Sequence, residues 1–266
     1  MKTSSRPLHL LQITDPHLQA NEHGELLGIR TRESLQAVIE HAQANHPRPD
    51  AVLATGDISQ DGSLSSYHFF TDRIATLGAP VYWIPGNHDQ RTAMHSVMAA
   101  NGADARSPQL GNWQLVMLDS LVEGQVPGRL ADTELQHLED TLAAQPERPA
   151  LVCVHHHPVD ISAQWMNAIG LQNRDALFAV LKRHPQVQAL VFGHVHQEVD
   201  GEAQGLRVLA TPSTCVQFAP DVTGFTVDTR APGYRWLRLY PDGTLETGVE
   251  RVAEGRFIAN PDSQGY

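Results

Sequence analysis

Residues 8–17 read Leu8-His9-Leu10-Leu11-Gln12-Ile13-Thr14-Asp15-Pro16-His17, a short and mostly apolar run that ends on an Asp-Pro-His triplet. The run has the length and composition of a buried β-strand, and the polar triplet marks the loop after it. Two further apolar runs, at residues 51–54 and 81–84, end in the same way at Gly56-Asp57 and Gly86-Asn87. The sequence therefore predicts several buried strands that each lead into a polar loop.

Helical periodicity lies between these runs. Leu35, Val38, Ile39 and Ala42 recur at helical spacing behind Thr31, which we expect to cap the helix. Short runs after residue 199, broken by Asp-Gly and Gly, predict hairpins that close a sheet. The other predicted elements are a helix capped by Asp132 or Thr133, a helix around residues 176–182, and strands at residues 115–118, 151–154 and 189–192. This alternation predicts an α/β fold with helices on the faces of a sheet.

Composition limits the classes of partner. The 266 residues suit one domain, residues 1–266, with residues 259–266 as a loose C-terminal tail. Lys+Arg 19 against Asp+Glu 30 gives a net charge of −11, which disfavours a nucleic acid polymer or an anionic membrane as partner. The chain has no apolar run of membrane-spanning length and no signal-like start, and its two cysteines suit a reducing compartment, so we expect a cytoplasmic protein.

Fifteen histidines are the unusual count, and they point to metal or proton chemistry. Many of them fall in five polar clusters at the ends of predicted strands, where ligands bind in open α/β sheets. Each cluster alone could be a helix cap, a turn or a surface accident. In extended chain, residues i and i+2 point to one side, so a D-x-H or H-x-H pair could grip one ion. The clusters are Asp15-Pro16-His17, Gly56-Asp57, Gly86-Asn87-His88-Asp89, His155-His156-His157-Pro158 and Gly193-His194-Val195-His196.

Together these clusters resemble the calcineurin-like metallophosphoesterases, whose D-x-H, G-D, G-N-H-D, H-x-P and G-H-x-H motifs occur here in order. The chain further resembles the class III bacterial 3′,5′-cyclic AMP phosphodiesterases of the CpdA type. That narrower resemblance rests on residues 11–15, 27–28, 54–57, 83–89, 210–218 and 231–235. It implies a four-layer α/β/β/α sandwich with two mixed β-sheets.

The resemblance also implies a binuclear metal site. The family's H-x-P pattern selects His156, because His156-His157-Pro158 matches it, whereas the alternation of a buried strand cannot choose within the triplet. His155 and His157 are then expected to pack or stabilise. By the same resemblance, one ion is held by Asp15, His17, Asp57 and His196, and the other by Asp57, Asn87, His156 and His194. The mixed oxygen and nitrogen donors suit Fe and Mn, with Zn or Co as alternatives.

The implied reaction is hydrolysis of 3′,5′-cyclic AMP to 5′-AMP by a metal-bridging hydroxide. We expect His88 to donate a proton to the leaving alkoxide and Asp89 to orient the His88 ring, which makes both residues catalytic candidates. The alternative for His88 is a purely structural histidine. The expected phosphate contacts are His17, Asp57, Asn87, His88 and His196.

Other functions share the same motifs. A broader phosphodiesterase or phosphatase acting on 2′,3′-cyclic nucleotides or glycerophosphodiesters would have the same metal core, because pocket shape decides the substrate. A non-catalytic scaffold of this fold is a further alternative, although it would typically have lost ligands that are present here. Trp165 or Phe218 could stack on adenine, or both could be core residues. The chain could be a monomer or a homodimer.

Overall fold

The computed structural model describes residues 6–263. Its helices are α1 (Thr31–Asn45), α2 (Leu64–Ile74), α3 (Arg91–Ala100), α4 (Asp132–Ala143) and α5 (Arg174–Leu181), with 3₁₀ turns at Ala75–Leu77 and Gln164–Ile169. Its strands are β1 (Leu8–Ile13), β2 (Glu25–Leu26), β3 (Ile29–Arg30), β4 (Ala51–Ala54), β5 (Val81–Trp83), β6 (Gln109–Leu110), β7 (Trp113–Met117), β8 (Ala150–Val154), β9 (Val187–Phe192), β10 (Val199–Ala203), β11 (Leu206–Ala210), β12 (Gln217–Phe218), β13 (Val227–Asp228), β14 (Gly233–Leu239) and β15 (Leu245–Arg251).

Two mixed sheets contain most of these strands. The first has the order β15-β14-β1-β4-β5, in which β1, β4 and β5 are parallel and β14 and β15 run against their neighbours. The second has the order β10-β11-β9-β8-β7-β6, with β11, β9, β8 and β7 parallel. The hairpins expected after residue 199 are present as β10-β11 and β14-β15.

The sheets pack face to face, with helices on the two outer faces. Leu10 and Leu53 of the first sheet share one apolar cluster with Leu151 and Val191 of the second. Another cluster joins the outer face of the first sheet to α1, α2 and α3, and a third joins the second sheet to α4 and α5. The four-layer α/β/β/α sandwich is therefore confirmed.

The helices differ from the sequence prediction in their caps and in their number. Thr31 is the first residue of α1 and not its cap, and α4 begins at Asp132 after Ala131; neither helix has a side-chain cap. The predicted apolar face of α1 is buried. Helices α2 and α3 were not predicted. A Ser63 side chain accepts from the Ser66 backbone N–H at the start of α2, a capping signal that the sequence contained.

The parallel strands bring the polar loops to one edge of the sandwich. The loops after β1, β4 and β5 in one sheet and after β8 and β9 in the other contain all five clusters. Of the predicted loose tail, Ala259 is buried and the Asn260 N–H donates to the Leu27 carbonyl (2.7 Å); residues 264–266 lie outside the described residues. Among residues 6–263, no helix is long and apolar enough to cross a membrane.

Candidate metal centre

The D-x-H and H-x-H pairs lie in left-handed turns and not in extended chain as the sequence suggested. Asp15, His17, His194 and His196 have φ of 52°, 48°, 67° and 51°, and Asp57 has φ of 49°. This region of backbone space is unfavourable for residues other than glycine and is concentrated at functional sites. The turns direct these side chains into the cluster. Asp15 and His17 lie in one group of candidate ligands with His196, whereas His194 lies in another group with His155 and His156. The two histidines of the H-x-H pair therefore face different parts of the centre.

Two glycines of the clusters permit the close approach of these loops. A Cβ on Gly86 would collide with Asp57 Oδ1, and one on Gly193 would collide with Thr14 Oγ1. Packing therefore requires both the glycine of G-N-H-D and the glycine of G-H-x-H.

One half of the centre is formed by Asp15, His17 and His196, all fully buried. His196 Nδ1 lies 2.8 Å from the Val216 carbonyl, and His17 Nδ1 lies 2.7 Å from Gln60 Oε1. Because an oxygen acceptor requires a proton on Nδ1, both Nδ1 atoms are held by the protein and both Nε2 atoms face the cluster. The two Nε2 atoms are 3.1 Å apart, and His196 Nε2 is 3.4 Å from Asp15 Oδ1.

Asp57 lies between the two halves. Its Oδ1 accepts a hydrogen bond from the His88 backbone N–H (2.8 Å), whereas its buried Oδ2 has no hydrogen-bond partner among residues 6–263. Oδ2 is 3.9 Å from His17 Nε2 and 3.3 Å from His155 Nε2. One carboxylate oxygen is thus available to both groups of imidazoles.

The histidine that faces Asp57 and Asn87 is His155, whereas the sequence analysis selected His156. His155 Nδ1 lies 2.7 Å from the Thr55 carbonyl, and its Nε2 lies 3.2 Å from Asn87 Oδ1 and 3.3 Å from Asp57 Oδ2. His156 instead has both ring nitrogens bonded within the protein, to Ser120 Oγ (2.8 Å) and to the Val126 carbonyl (3.0 Å). His156 does lie close to the other rings, 4.9 Å from His155 and 4.8 Å from His194 between centroids.

His194 completes the second half. Its Nε2 lies 3.1 Å from the Ile169 carbonyl, and its buried Nδ1 has no hydrogen-bond partner in the described chain. His157 stacks on His194 with 5.4 Å between ring centroids and is nearly fully buried. The structure therefore brings together every predicted ligand position, with Asn87 and His88 half-buried at the edge of an otherwise buried cluster.

Burial and mutual charge set the protonation of these groups. Burial lowers the pKa of His17 to about 3 and lowers the pKa of His194 well below its usual value. Burial is also the largest effect on His155, but the charges of Asp57 and Asp15 and the hydrogen bonds to Asp57 and the Thr55 carbonyl together outweigh it and raise the pKa to about 9. The pKa of Asp57 is held well below its usual value because the neighbouring imidazoles outweigh the effect of its burial.

Asp89 has a different role from the one expected. Its Oδ1 accepts from the Ser59 N–H and the Tyr67 hydroxyl, and its Oδ2 accepts from the Ile58 and Gly86 N–H groups. Four donors fill the acceptor positions of a carboxylate, so the predicted bond from Asp89 to the His88 ring is replaced by bonds that join two loops. Burial and the charge of Asp57 raise the pKa of Asp89 to about 7, against the pull of these backbone N–H groups.

Sequence reasoning missed several orienting groups. Gln60 and the carbonyls of Thr55, Ile169 and Val216 each fix one ring nitrogen, and a backbone carbonyl leaves no signal in a sequence. Ser213 was detectable, because it lies in the run at residues 210–218 that characterises the narrower group. Its hydroxyl donates to the Asp15 carbonyl (2.6 Å), and Val216 of the same run holds His196.

The cluster fits a metal pair. Imidazole nitrogens, carboxylate oxygens and an amide oxygen converge, and the buried Asp57 Oδ2 and His194 Nδ1 have no hydrogen-bond partner among residues 6–263. Converging lone pairs repel one another unless protons or cations lie between them. Carbonyl groups on the outer nitrogens of metal-binding histidines are the usual means of orienting them.

The chain is similar to known proteins in both sequence and fold. Residues 8–198 match the calcineurin-like phosphoesterase family. The chain is 48% identical to the 3′,5′-cyclic adenosine monophosphate phosphodiesterase CpdA of Pseudomonas aeruginosa, over 97% of this chain and 94% of the relative. It is 45% identical to CpdA of Escherichia coli K12, over 97% and 95%. A dimetal phosphatase from Danio rerio has a similar fold, with a TM-score of 0.67 at 17% identity, covering 93% of this chain and all of that one.

Proposed function

The chain belongs to the calcineurin-like phosphoesterase family, and from this premise we propose that it hydrolyses 3′,5′-cyclic AMP to 5′-AMP at two metal ions. The observation that carries the proposal is the convergence of oriented imidazole nitrogens on Asp57 Oδ2, a buried oxygen with no hydrogen-bond partner among residues 6–263. Near-full-length relatives named as 3′,5′-cyclic AMP phosphodiesterases support the choice of substrate.

The proposed ligands are the donor atoms that face Asp57. They differ from the sequence expectation at one position, where His155 replaces His156, because His155 Nε2 lies beside Asp57 Oδ2 and Asn87 Oδ1. The two ring nitrogens of His156 are instead bonded to Ser120 Oγ and the Val126 carbonyl. The ligands of one ion are Asp15, His17, Asp57 and His196, and those of the other are Asp57, Asn87, His155 and His194.

The metal ions, when bound, supply Lewis acidity toward the phosphate and lower the pKa of the attacking water. The protein's own contribution is orientation and a proton. His88 follows Asn87 at the half-buried edge of the cluster, with its ring 5.0 Å from that of His17. The Asp57 bond to the His88 backbone fixes this position, so we assign the His88 ring as the donor to the leaving 3′ oxygen. The proposed phosphate contacts are His17, Asp57, Asn87, His88 and His196.

The metals and the compartment belong to the same proposal. Carboxylate, amide and imidazole donors together favour Mn and Fe over Ca or Mg, with Zn or Co as competitors. Cys153 and Cys215 are both free and buried, which supports a reducing, cytoplasmic setting. Metal analysis of protein purified from cells grown without added metal identifies the native pair of metal ions.

The test is product analysis by chromatography with equal amounts of 3′,5′-cyclic AMP and 2′,3′-cyclic AMP. Protein reconstituted with Mn is compared with chelated protein and with Asp57→Asn, which removes the charge shared by both ions. We expect metal-dependent 5′-AMP from the 3′,5′ isomer alone. Turnover of only the 2′,3′ isomer would indicate the broader phosphodiesterase, and no metal-dependent product from either isomer would favour the scaffold.

A further inference from the structure

Three aromatic rings extend the metal centre on the side of His196. The Phe218 ring lies parallel to the His196 imidazole, with 4.4 Å between centroids and 10° between planes. Trp165 lies 5.3 Å from Phe218, and Phe225 lies 5.2 Å from Trp165 and 5.5 Å from Phe218. The rings therefore form one continuous cluster that begins at a proposed metal ligand.

Burial divides the three rings into an inner one and two outer ones. Phe218 is fully buried, with one face against His196, so the suggestion that it stacks on a base is incompatible with its position. Trp165 and Phe225 are half-buried and keep part of their surface exposed. Any contact between this cluster and a bound molecule must therefore involve the outer pair.

Hydrogen bonds join the two chain segments that contain Trp165 and Phe225. Trp165 lies in the 3₁₀ turn Gln164–Ile169, and Phe225 lies in the loop between β12 and β13. The Gln164 N–H donates to the Val222 carbonyl (2.8 Å), and the Asp221 N–H donates to Ser162 Oγ (3.1 Å). These bonds fix the two rings relative to each other before any ligand arrives, which limits the ordering cost of binding.

We infer that Trp165 and Phe225 form the nucleobase contact of the active site. The inference rests on the proposed function, because it takes His196 as part of the phosphate site. Trp165 and Phe225 are the partly exposed rings of the cluster that begins at His196, so a nucleoside that extends along this cluster from a phosphate at His196 meets them. Aromatic side chains stack on the π-faces of bases with little need for further polar contacts.

The test compares a ligand with a base and one without it. Isothermal titration calorimetry with the Mn-reconstituted protein measures the affinity for 5′-AMP and for ribose 5-phosphate. The variants are Trp165→Ala, Trp165→Phe and, as a matched control, Trp236→Ala. Trp236 is a half-buried tryptophan on β14 that packs against His46 and Arg238.

Base stacking predicts that the wild type binds 5′-AMP at least about fivefold more tightly than ribose 5-phosphate. Trp165→Ala should lose most of this preference, whereas Trp165→Phe and Trp236→Ala should keep it. With cyclic AMP as substrate, Trp165→Ala should raise KM by a similar factor with kcat and metal content unchanged.

A wild type without the preference, a Trp165→Ala variant that keeps it, or an equal loss of affinity for both ligands would overturn the inference. Failure of the proposed function is a separate result. It would appear as absent turnover of cyclic AMP by the wild type, whatever the two affinities are.

Discussion

The choice between His155 and His156 as a metal ligand can be decided by substituting each with alanine. His155→Ala removes one of the four donors proposed for the second ion. Loss of a group that only orients a ligand typically costs 10- to 100-fold in metal affinity, so loss of the donor itself should cost at least about 100-fold. We expect this variant to retain about one ion per chain after desalting.

His156→Ala should behave in the opposite way. The fully buried ring is replaced by a cavity, and its two hydrogen bonds, to Ser120 Oγ and the Val126 carbonyl, are lost. At about 1 kcal/mol for each bond and a similar amount for lost packing, the free energy of unfolding should fall by about 3 kcal/mol. The proposed ligand atoms that face Asp57 remain in this variant, so both ions should still bind.

The assay combines elemental analysis of desalted, Mn-loaded protein with urea unfolding in the presence of a chelator. His184→Ala controls for removal of a buried histidine, because His184 contacts Glu139 and lies outside the cluster. The reasoning is refuted if His156→Ala loses an ion while His155→Ala keeps both, which would restore the assignment made from the H-x-P pattern. Equal loss of metal by the two variants would show that facing Asp57 does not identify a metal ligand here.

Two further predictions concern residues beside the cluster. In Asp89→Asn, one acceptor oxygen is replaced by an amide N–H₂ group that faces two donors. We expect this substitution to lower the free energy of unfolding by about 2 to 4 kcal/mol. A stable variant with reduced kcat would instead support the role in which Asp89 orients the His88 ring. Burial lowers the pKa of His157 from 6.5 to about 4, so the folded state resists protonation of this ring. As the pH falls from about 6.5 to about 4, this one histidine should lower the free energy of unfolding of the wild type by up to about 3 kcal/mol. In chelator, urea unfolding of His157→Phe at pH 7.5 and 4.5 should show a shallower decline, and parallel curves for variant and wild type would contradict it.

The strands were predictable because each is a short apolar run that ends in a polar loop. Residues 8–13 and 51–54 coincide with β1 and β4, and β8 and β9 begin one and two residues before the predicted runs. Helix α2 (Leu64–Ile74) was missed although the sequence contained its signals. Ser63 caps its start, and the buried Tyr67, Phe70 and Ile74 recur at helical spacing.

The sequence predicted which loops form the site, but it did not predict how the individual side chains are oriented there. Strand ends in an α/β fold gather scattered polar loops, and this topological rule located all five clusters. It cannot say which of three consecutive histidines turns inward, because that depends on the local backbone and on the Thr55 carbonyl that fixes His155. Asp89 shows the same limit, since adjacency to His88 in sequence does not determine where a carboxylate points.

The protein's own backbone sets the geometry of the centre, and this has an energetic consequence. Five residues of the cluster hold left-handed backbone, which costs about 1 to 3 kcal/mol for each residue that is not glycine. Backbone bonds between the loops retain this geometry, among them the Asp15 N–H to the Gly56 carbonyl and the His17 N–H to the Asp57 carbonyl, both 3.0 Å. In the metal-free chain a protonated His155 supplies the cation that Asp57 requires, which is why its pKa rises to about 9. An ion that binds there must displace this proton, so metal affinity should increase with pH while the backbone barely moves.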